Sequence, residues 1–177
     1  MSGEVDRATA LLTELGAGAV DHPGGKLLDH LCRVHDLVAD WGGSERLQLA
    51  ALCHATYSTD GFPVALLPLG ERERLREVIG ADAEALVYLY DACDRKATYR
   101  HLGADPLPLT DRFTEVVVRL GGEDLTDFAL LTVTNELDVL RHATLDEATR
   151  QGLRDLFAAM AAYVPDAAAR ALADAAA

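Results

Sequence analysis

One segment of the chain is apolar on almost every side of a helix, and it constrains the fold more than any other feature. Residues 47–54 read Leu-Gln-Leu-Ala-Ala-Leu-Cys-His, with one polar side chain before the final histidine. A helix of this kind is buried in the centre of a domain, because it has no broad polar face for water. Ser44 stands where a helix cap is expected, just after Gly42 and Gly43. We therefore expect the other helices to pack around this segment.

The remaining segments also have helical periodicity, and none alternates convincingly between polar and apolar residues as a half-buried strand does. Glycine and proline residues mark the ends of these segments. The predicted helices span residues 4–16, 26–41, 44–54, 71–79, 82–95, 124–142, 145–163 and an alanine-rich stretch after Pro165. Residues 21–25 are expected to form a compact turn, and 57–70 and 96–108 to form loops. The sequence predicts an all-α, single-domain helical bundle over residues 1–177 with essentially no sheet.

Charge and composition exclude several classes of function. The formal net charge is −13 and the sequence pI is about 4.7, whereas a nucleic-acid-binding protein needs a cationic face. No run of roughly 18 apolar residues is present, so we expect no membrane span. Residues 1–7 are acidic and unlike a secretory signal, which predicts a cytoplasmic protein. The three cysteines include no CxxC pair, and we expect them to be free thiols in the core.

The histidines are the main candidates for chemistry. His54 ends the apolar helix, and a buried imidazole must find partners for both of its ring nitrogens. A metal ion would satisfy one nitrogen and a hydrogen-bond acceptor the other, although hydrogen bonds within the core would satisfy both equally well. On the preceding helix, His30 and His35 flank the apolar stripe on opposite sides. Each of these two histidines is expected to face either a cavity or solvent.

Five segments together resemble a known family. They are residues 22–25, 27–34, 47–54, 57–60 and 128–141. Their order is similar to the HD-type metal phosphohydrolase superfamily, and closest to a group of small HD-like bacterial domains with no assigned role. In that superfamily a first helix supplies a metal-binding histidine, matched by His30, and the next buried helix ends in His-Asp, matched by His54. A later helix supplies an aspartate, at whose position Asn135 stands. The resemblance implies an HD-type fold around a metal site.

Two positions depart from the family pattern. Ala55 follows His54 where the family has aspartate, and Asn135 replaces the closing aspartate. Hard ions such as Mg²⁺ and Mn²⁺ prefer anionic oxygen, whereas imidazoles with one carboxylate suit Fe²⁺ or Zn²⁺. We therefore expect any bound divalent ion to be iron or zinc, the alternative being a pocket with no metal. The predicted metal ligands are His22, His30, His54, Asn135 and Asp138, with Asp60 as a substitute carboxylate.

Charged residues near the end of the predicted helix 82–95 provide further candidates. Asp91, Asp94 and Arg95 are expected to face the same cavity, where Arg95 and Lys96 would bind a substrate anion. An exposed helix end is the alternative interpretation of this cluster. Together with Tyr57 and Asp60, Asp94 and Arg95 complete the predicted catalytic set.

The sequence supports more than one function. The first is a small-molecule enzyme with a rearranged HD-type cavity that catalyses hydrolysis of a phosphate ester or an iron-dependent oxidation. The second is a metal-free ligand-binding module or pseudo-enzyme that keeps the fold. The third is an interaction subunit that docks through an apolar surface. The chain contains no GxGxxG, P-loop or GxSxG motif that would point to another chemistry.

Overall fold

The computed structural model describes residues 3–176, of which most are helical: 64% of residues are helix and 9% are strand. The helical class predicted from the sequence is confirmed. Within this described range the helices are α1 Gly3–Glu14, α2 Leu27–Asp40, α3 Glu45–Cys53, α4 Arg72–Ile79, α5 Ala81–Asp91, α6 Arg95–Tyr99, α7 Gly122–His142, α8 Glu147–Met160 and α9 Asp166–Ala176.

Helix α3 lies where its apolar surface predicts, in the middle of the bundle. Its first turn is capped by Ser44, whose hydroxyl accepts a hydrogen bond from the Leu47 N–H at 3.2 Å. Residues 49–53 are all buried. The helix packs against α1, α2, α5 and α7. His54 follows directly at the C-terminal end and is therefore carried into the interior.

Helix α7 is the longest helix in the described range, and its middle is buried on every side. Residues 127–138 are all buried, and the helix packs against α2, α5, α8 and α9. The hydroxyls of Thr132 and Thr134 donate hydrogen bonds to backbone carbonyl oxygens one turn earlier in the same helix, so they need no partner from another element. Asn135 and Asp138 instead bond to side chains of other elements. The polar residues of this helix that face its neighbours are thus concentrated at one place.

Two short antiparallel hairpins are also present, so the expectation of essentially no sheet is wrong at two places. Strand β1, Asp21–His22, pairs with β2, Gly25–Lys26. Strand β3, Leu107–Thr110, pairs with β4, Val117–Leu120. In β3 only Leu107 and Leu109 are buried, and an alternation this short gives little periodic signal in the sequence.

The predicted helix 82–95 is two helices. Helix α5 ends at Asp91, and α6 begins at Arg95 after Asp94, whose carboxylate accepts a hydrogen bond from the Ala97 N–H at 2.8 Å. The region 96–108, predicted as a loop, accordingly starts within a helix. The cap turns the chain at this point and brings Arg95 towards the centre of the bundle.

The turn between β1 and β2 depends on Gly24. This residue has φ +89°, and a Cβ added to it would lie 2.7 Å from the Cβ of His142 at the end of α7. A larger residue would therefore be strained and would push the hairpin away from α7. The close approach holds His22 of β1 over the N-terminal part of α2.

Candidate functional site

Three polar atoms from three elements meet in the interior. The Nε2 atoms of His30 and His54 are 3.2 Å apart. The Oδ1 atom of Asn135 lies 3.0 Å from each of them. His30 and His54 are 1% exposed and Asn135 is 7% exposed. We call this group the donor triangle, because each of its three atoms could donate a lone pair to a metal ion.

The His30 ring is oriented by Asp138. Its Nδ1 lies 2.7 Å from Oδ2 of Asp138, and Arg33 donates two further hydrogen bonds to the same carboxylate. Burial alone would raise the pKa of Asp138, but the hydrogen bonds from His30 and Arg33 outweigh burial and hold that pKa well below its usual range. Because an ionised carboxylate only accepts, His30 Nδ1 carries a proton and Nε2 faces the triangle.

The His54 ring is also oriented through its Nδ1, in this case by a backbone carbonyl. Its Nδ1 donates to the carbonyl oxygen of Ala51 at 2.7 Å, and the ring packs edge-on against Tyr90. Burial, together with the nearby His30, lowers the pKa of His54 to about 3. The imidazole is therefore neutral at pH 7, with the lone pair of Nε2 directed into the triangle.

The amide of Asn135 has a defined orientation as well. Its Nδ2 donates to Oε1 of Glu136 at 3.0 Å, and a carboxylate oxygen requires a donor there. The amide oxygen consequently points at the two imidazoles. The triangle thus brings together three atoms that can accept a hydrogen bond or bind a metal ion.

His22 covers the donor triangle from the β1–β2 hairpin. Its ring stacks on that of His30 with centroids 4.0 Å apart, and Phe62 packs against its edge. Nδ1 donates to the carbonyl oxygen of Pro23 at 3.0 Å, which leaves Nε2 as the accepting nitrogen. Burial, and then the charge of His30, lower the pKa of His22 to about 4.

A cavity of about 120 Å³ opens beside the donor triangle. It is lined by His22, Pro23, His54, Ala55, Thr59, Gly61, Phe62, Arg95, Asn135, Glu136 and Val139. Arg95 donates from Nη1 to Oε1 of Glu136 at 2.7 Å, so the lining of the cavity includes an ion pair as well as the histidines.

The predicted site residues differ in where they lie. Asp60 is exposed at the edge, where its carboxylate accepts from the backbone N–H of Arg95 at 2.9 Å. Arg95, His22, His54 and Asn135 line the cavity, and His30 lies directly beneath His22.

Three predicted site residues have partners of their own outside the donor triangle. Tyr57 donates its hydroxyl to Glu84 at 3.0 Å, away from the triangle. Asp94 is the cap of α6, because the first N–H groups of a helix need an acceptor. Asp138 contacts Nδ1 of His30, the ring nitrogen that faces away from the triangle, and so orients that ring.

The sequence analysis did not single out Glu136 or Phe62, although both line the cavity. Glu136 is 7% exposed in the middle of α7. Its signal in the sequence is the polar run from Thr134 to Asn135 and Glu136 within an otherwise apolar helix, since buried charged groups need partners. Phe62 follows Gly61 in a predicted loop and has no comparable signal.

Comparisons with known proteins reach only part of the site. A family described as a domain of unknown function, DUF6817, has a model that matches residues 11–95. That range contains His22, His30, His54 and Arg95 but ends before α7. No curated protein and no solved structure matches the chain.

Among residues 3–176, no three or more His, Cys, Asp or Glu side chains are grouped so as to hold a metal ion. The donor triangle contains only two residues of these types, the third being the amide of Asn135. No helix in the same range is long and apolar enough to cross a membrane.

Proposed function

We propose that this chain is an HD-type enzyme that hydrolyses a small molecule and binds one Fe²⁺ or Zn²⁺ ion through His30, His54 and Asn135. The observation that supports the proposal is the donor triangle, in which three acceptor atoms lie 3.0–3.2 Å apart with their outer partners in place. Ligands about 2.1 Å from one tetrahedral ion are about 3.4 Å apart, so a small expansion would admit the metal.

The order of these residues along the chain supports the HD-type assignment. His30 lies on α2, His54 follows α3 and Asn135 lies on α7, which is the sequence in which the family supplies its ligands. Ala55 lines the cavity beside His54, so a methyl group occupies the place of the missing carboxylate. Two imidazoles and a neutral amide favour iron or zinc over magnesium or manganese.

The other cavity residues supply what hydrolysis of a small substrate requires. A bound ion of this type would polarise a substrate oxygen and lower the pKa of a bound water. His22 lines the cavity, and its Nε2 could accept a hydrogen bond from a water or substrate hydroxyl there, since Nδ1 already donates to Pro23. Arg95 would bind an anionic group of the substrate by exchanging its contact with Glu136. An iron-dependent oxidation would use the same residues but requires oxygen and electrons in addition.

Metal content tests the proposal directly. The purified protein is treated with a chelator without oxygen, reloaded with Fe²⁺, Zn²⁺, Mn²⁺ or Mg²⁺ separately, and measured by elemental analysis and thermal melting. We expect one tightly held Fe²⁺ or Zn²⁺ per chain in wild type and in His101→Ala, an exposed control histidine. His54→Ala should lose the ion. No stoichiometric ion in wild type would instead favour the metal-free ligand-binding module.

Restoring one carboxylate tests the ligand chemistry separately from the fold. Asn135→Asp should raise the affinity for Mn²⁺ by about tenfold, because a hard ion gains an anionic oxygen. Hydrolysis of p-nitrophenyl phosphate by each loaded form measures activity. Manganese-dependent hydrolysis by wild type that exceeds the zinc- and iron-dependent rates would contradict the proposed metal preference.

A further inference from the structure

One carboxylate oxygen joins the donor triangle to the charged part of the cavity. Oε1 of Glu136 accepts a hydrogen bond from Asn135 Nδ2 at 3.0 Å and another from Arg95 Nη1 at 2.7 Å. Asn135 belongs to the triangle through its amide oxygen, whereas Arg95 lines the cavity. Because both donors share a single oxygen, a change at Arg95 can reach Asn135 directly.

The Arg95 guanidinium is held in place but keeps donors for a ligand. The Arg95 backbone N–H donates to Asp60, and a Cβ added to Gly61 would lie 3.0 Å from Nη1, so the guanidinium packs against the Gly61 backbone. Besides the contact with Glu136, its one hydrogen bond within residues 3–176 is a long one, 3.4 Å from Nη2 to the Tyr90 hydroxyl. A guanidinium has five N–H donors in a planar fork. Arg95 can therefore donate two hydrogen bonds to an oxyanion in the cavity.

Glu136 and Arg95 form an ion pair that a bound oxyanion would have to open. The side chain of Glu136 is 9% exposed and that of Arg95 is 25% exposed, so water screens their attraction only in part. Oε2 of Glu136 accepts no hydrogen bond from another residue within 3–176, so the side-chain contacts of this carboxylate are made through Oε1. When Arg95 turns to an oxyanion, Oε1 keeps Asn135 as its donor.

This exchange of partners changes the amide oxygen of Asn135. A carboxylate oxygen that is released by a guanidinium accepts more strongly from Nδ2, because its charge is shared among fewer donors. Hydrogen bonds in a chain polarise one another, so the amide oxygen at the far end becomes more negative. A more negative oxygen is a better metal ligand, for the same reason that a carboxylate behind a metal-bound histidine raises the basicity of that ligand. Oxyanion binding at Arg95 should therefore favour metal binding at the triangle, and by thermodynamic linkage the reverse holds equally.

We propose that Glu136 couples the two parts of the site, so that an oxyanion which takes Arg95 from Glu136 raises the metal affinity of the donor triangle. The metal in turn raises the affinity for the oxyanion by the same factor. The coupling rests on the proposed function, because it requires an ion at His30, His54 and Asn135. Glu136 is a positioning residue in this scheme, since it acts on the metal through the Asn135 amide. The protein thus holds its metal most tightly when an oxyanionic substrate is bound.

Metal affinity measured with and without sulfate tests the coupling. Sulfate is the probe because it is a small oxyanion that stays unprotonated at neutral pH. Zn²⁺ affinity is measured by competition with a chromophoric chelator at constant pH, with sodium chloride used to keep the ionic strength constant. Saturating sulfate should tighten Zn²⁺ binding to wild type by about fivefold. Titration of sulfate into metal-free and Zn²⁺-loaded protein, followed by NMR, should show the same factor for the anion.

Variants separate this route from direct attraction between the oxyanion and the metal ion. Glu136→Gln keeps an acceptor for Asn135 but has no charge that Arg95 can release, so the effect of sulfate on Zn²⁺ affinity should fall below about twofold. Direct attraction predicts an equal or larger effect in this variant. Arg95→Gln should lose sulfate binding and with it the effect. Glu123→Gln, which is exposed on the same helix as Glu136, should behave as wild type.

The possible outcomes also separate the coupling from the proposed function. A wild type that binds Zn²⁺ with an affinity independent of sulfate overturns the coupling and leaves the proposed metal site in place. A sulfate effect that survives in Glu136→Gln or in Arg95→Gln overturns the coupling as well, with circular dichroism used to verify that each variant folds. A wild type that binds no Zn²⁺ with or without sulfate overturns both the coupling and the proposed function.

Discussion

Two clusters of buried polar groups in this protein are built in opposite ways. In one, Glu84 is fully buried and its carboxylate accepts from Tyr57, from Arg72 at 2.6 and 2.9 Å, and from Arg76. Burial would raise the pKa of Glu84, but these hydrogen bonds and charges outweigh burial and lower it. Each acceptor here has donors, and the cluster fastens α4 and the Tyr57 segment to α5.

The other cluster is the donor triangle. The atoms of its side chains that face away from the triangle have hydrogen-bond partners, whereas the three atoms that face into it meet only one another. Asp138 and the Ala51 carbonyl fix the two imidazoles, and Glu136 fixes Asn135, so that three acceptors converge. Burial of polar groups therefore does not by itself distinguish a structural cluster from a candidate site. Acceptors that face one another, with every outer partner in place, are the distinguishing feature.

Glu84→Ala is expected to have the largest effect on stability, and it should not affect the donor triangle. Removing the carboxylate leaves Arg72 and the Tyr57 hydroxyl without their partner, and we expect a loss of about 2–3 kcal/mol in the free energy of unfolding. The loss is at the low end for a buried pair because Arg72 is partly exposed. Urea denaturation measures it, while metal binding by the folded variant should be unchanged. The exposed Glu77→Ala serves as the control on α4.

The pH dependence of this effect follows from the lowered pKa of Glu84. A carboxylate with a folded pKa below its unfolded value contributes stability above the unfolded pKa and loses it as pH falls through the folded one. Wild type and Glu84→Ala should therefore converge in stability in acid. Equal stabilities at pH 7 would show that Glu84 is not the centre of a structural cluster.

A smaller effect is expected in the donor triangle from Asp138→Asn. The variant removes the negative charge behind His30, which weakens the outer hydrogen bond and makes Nε2 a poorer ligand. We expect the affinity for Fe²⁺ or Zn²⁺ to fall by about tenfold, as measured by competition with a chelator. The chain offers a matched control, because Asp36 accepts from Nδ1 of His35 at 2.9 Å away from the cavity. An Asp36→Asn affinity as low as that of Asp138→Asn would refute a specific role for Asp138.

Much of the fold and part of the site could be predicted from the sequence. The apolar segment 47–54 places His54 in the interior, and the stripe on α2 limits where His30 can point. The structure brings these two residues together with Asn135, although their role as metal ligands stays a prediction. The contact of Asp138 with Nδ1 of His30 could not be predicted, because spacing along a helix does not reveal which ring nitrogen a carboxylate meets.

Contacts between distant elements were harder to predict. Tyr57 and Glu84 are 27 residues apart, and nothing local in the sequence links them. The β3–β4 hairpin was missed for a different reason. Its apolar residues Val116 to Val118 are consecutive, and such a short apolar run does not distinguish a strand from a helix.

Asp91 lies between the two kinds of cluster and gives the finest test of the comparison. It is fully buried at the end of α5; Oδ2 accepts from the Tyr57 N–H at 2.8 Å, while Oδ1 has no partner among the described residues. Burial raises the pKa of Asp91 well above its usual range, and the charges of Arg112 and Arg95 offset this only in part. Unlike Glu84, this carboxylate lacks a guanidinium in contact.

The sign of the resulting pH dependence is opposite to that of Glu84. Because the folded pKa of Asp91 exceeds the unfolded one, the folded state binds the extra proton, and stability falls as pH rises from about 4 towards the folded pKa. Asp91→Asn keeps an acceptor for Tyr57 without the charge, so it should be more stable than wild type by about 1 kcal/mol at neutral pH and equal to it near pH 4. Urea denaturation across this range measures the difference, with the exposed Asp82→Asn on the same helix as the control. Parallel stability curves for Asp91→Asn and wild type would mean that Asp91 is ionised and compensated, as Glu84 is.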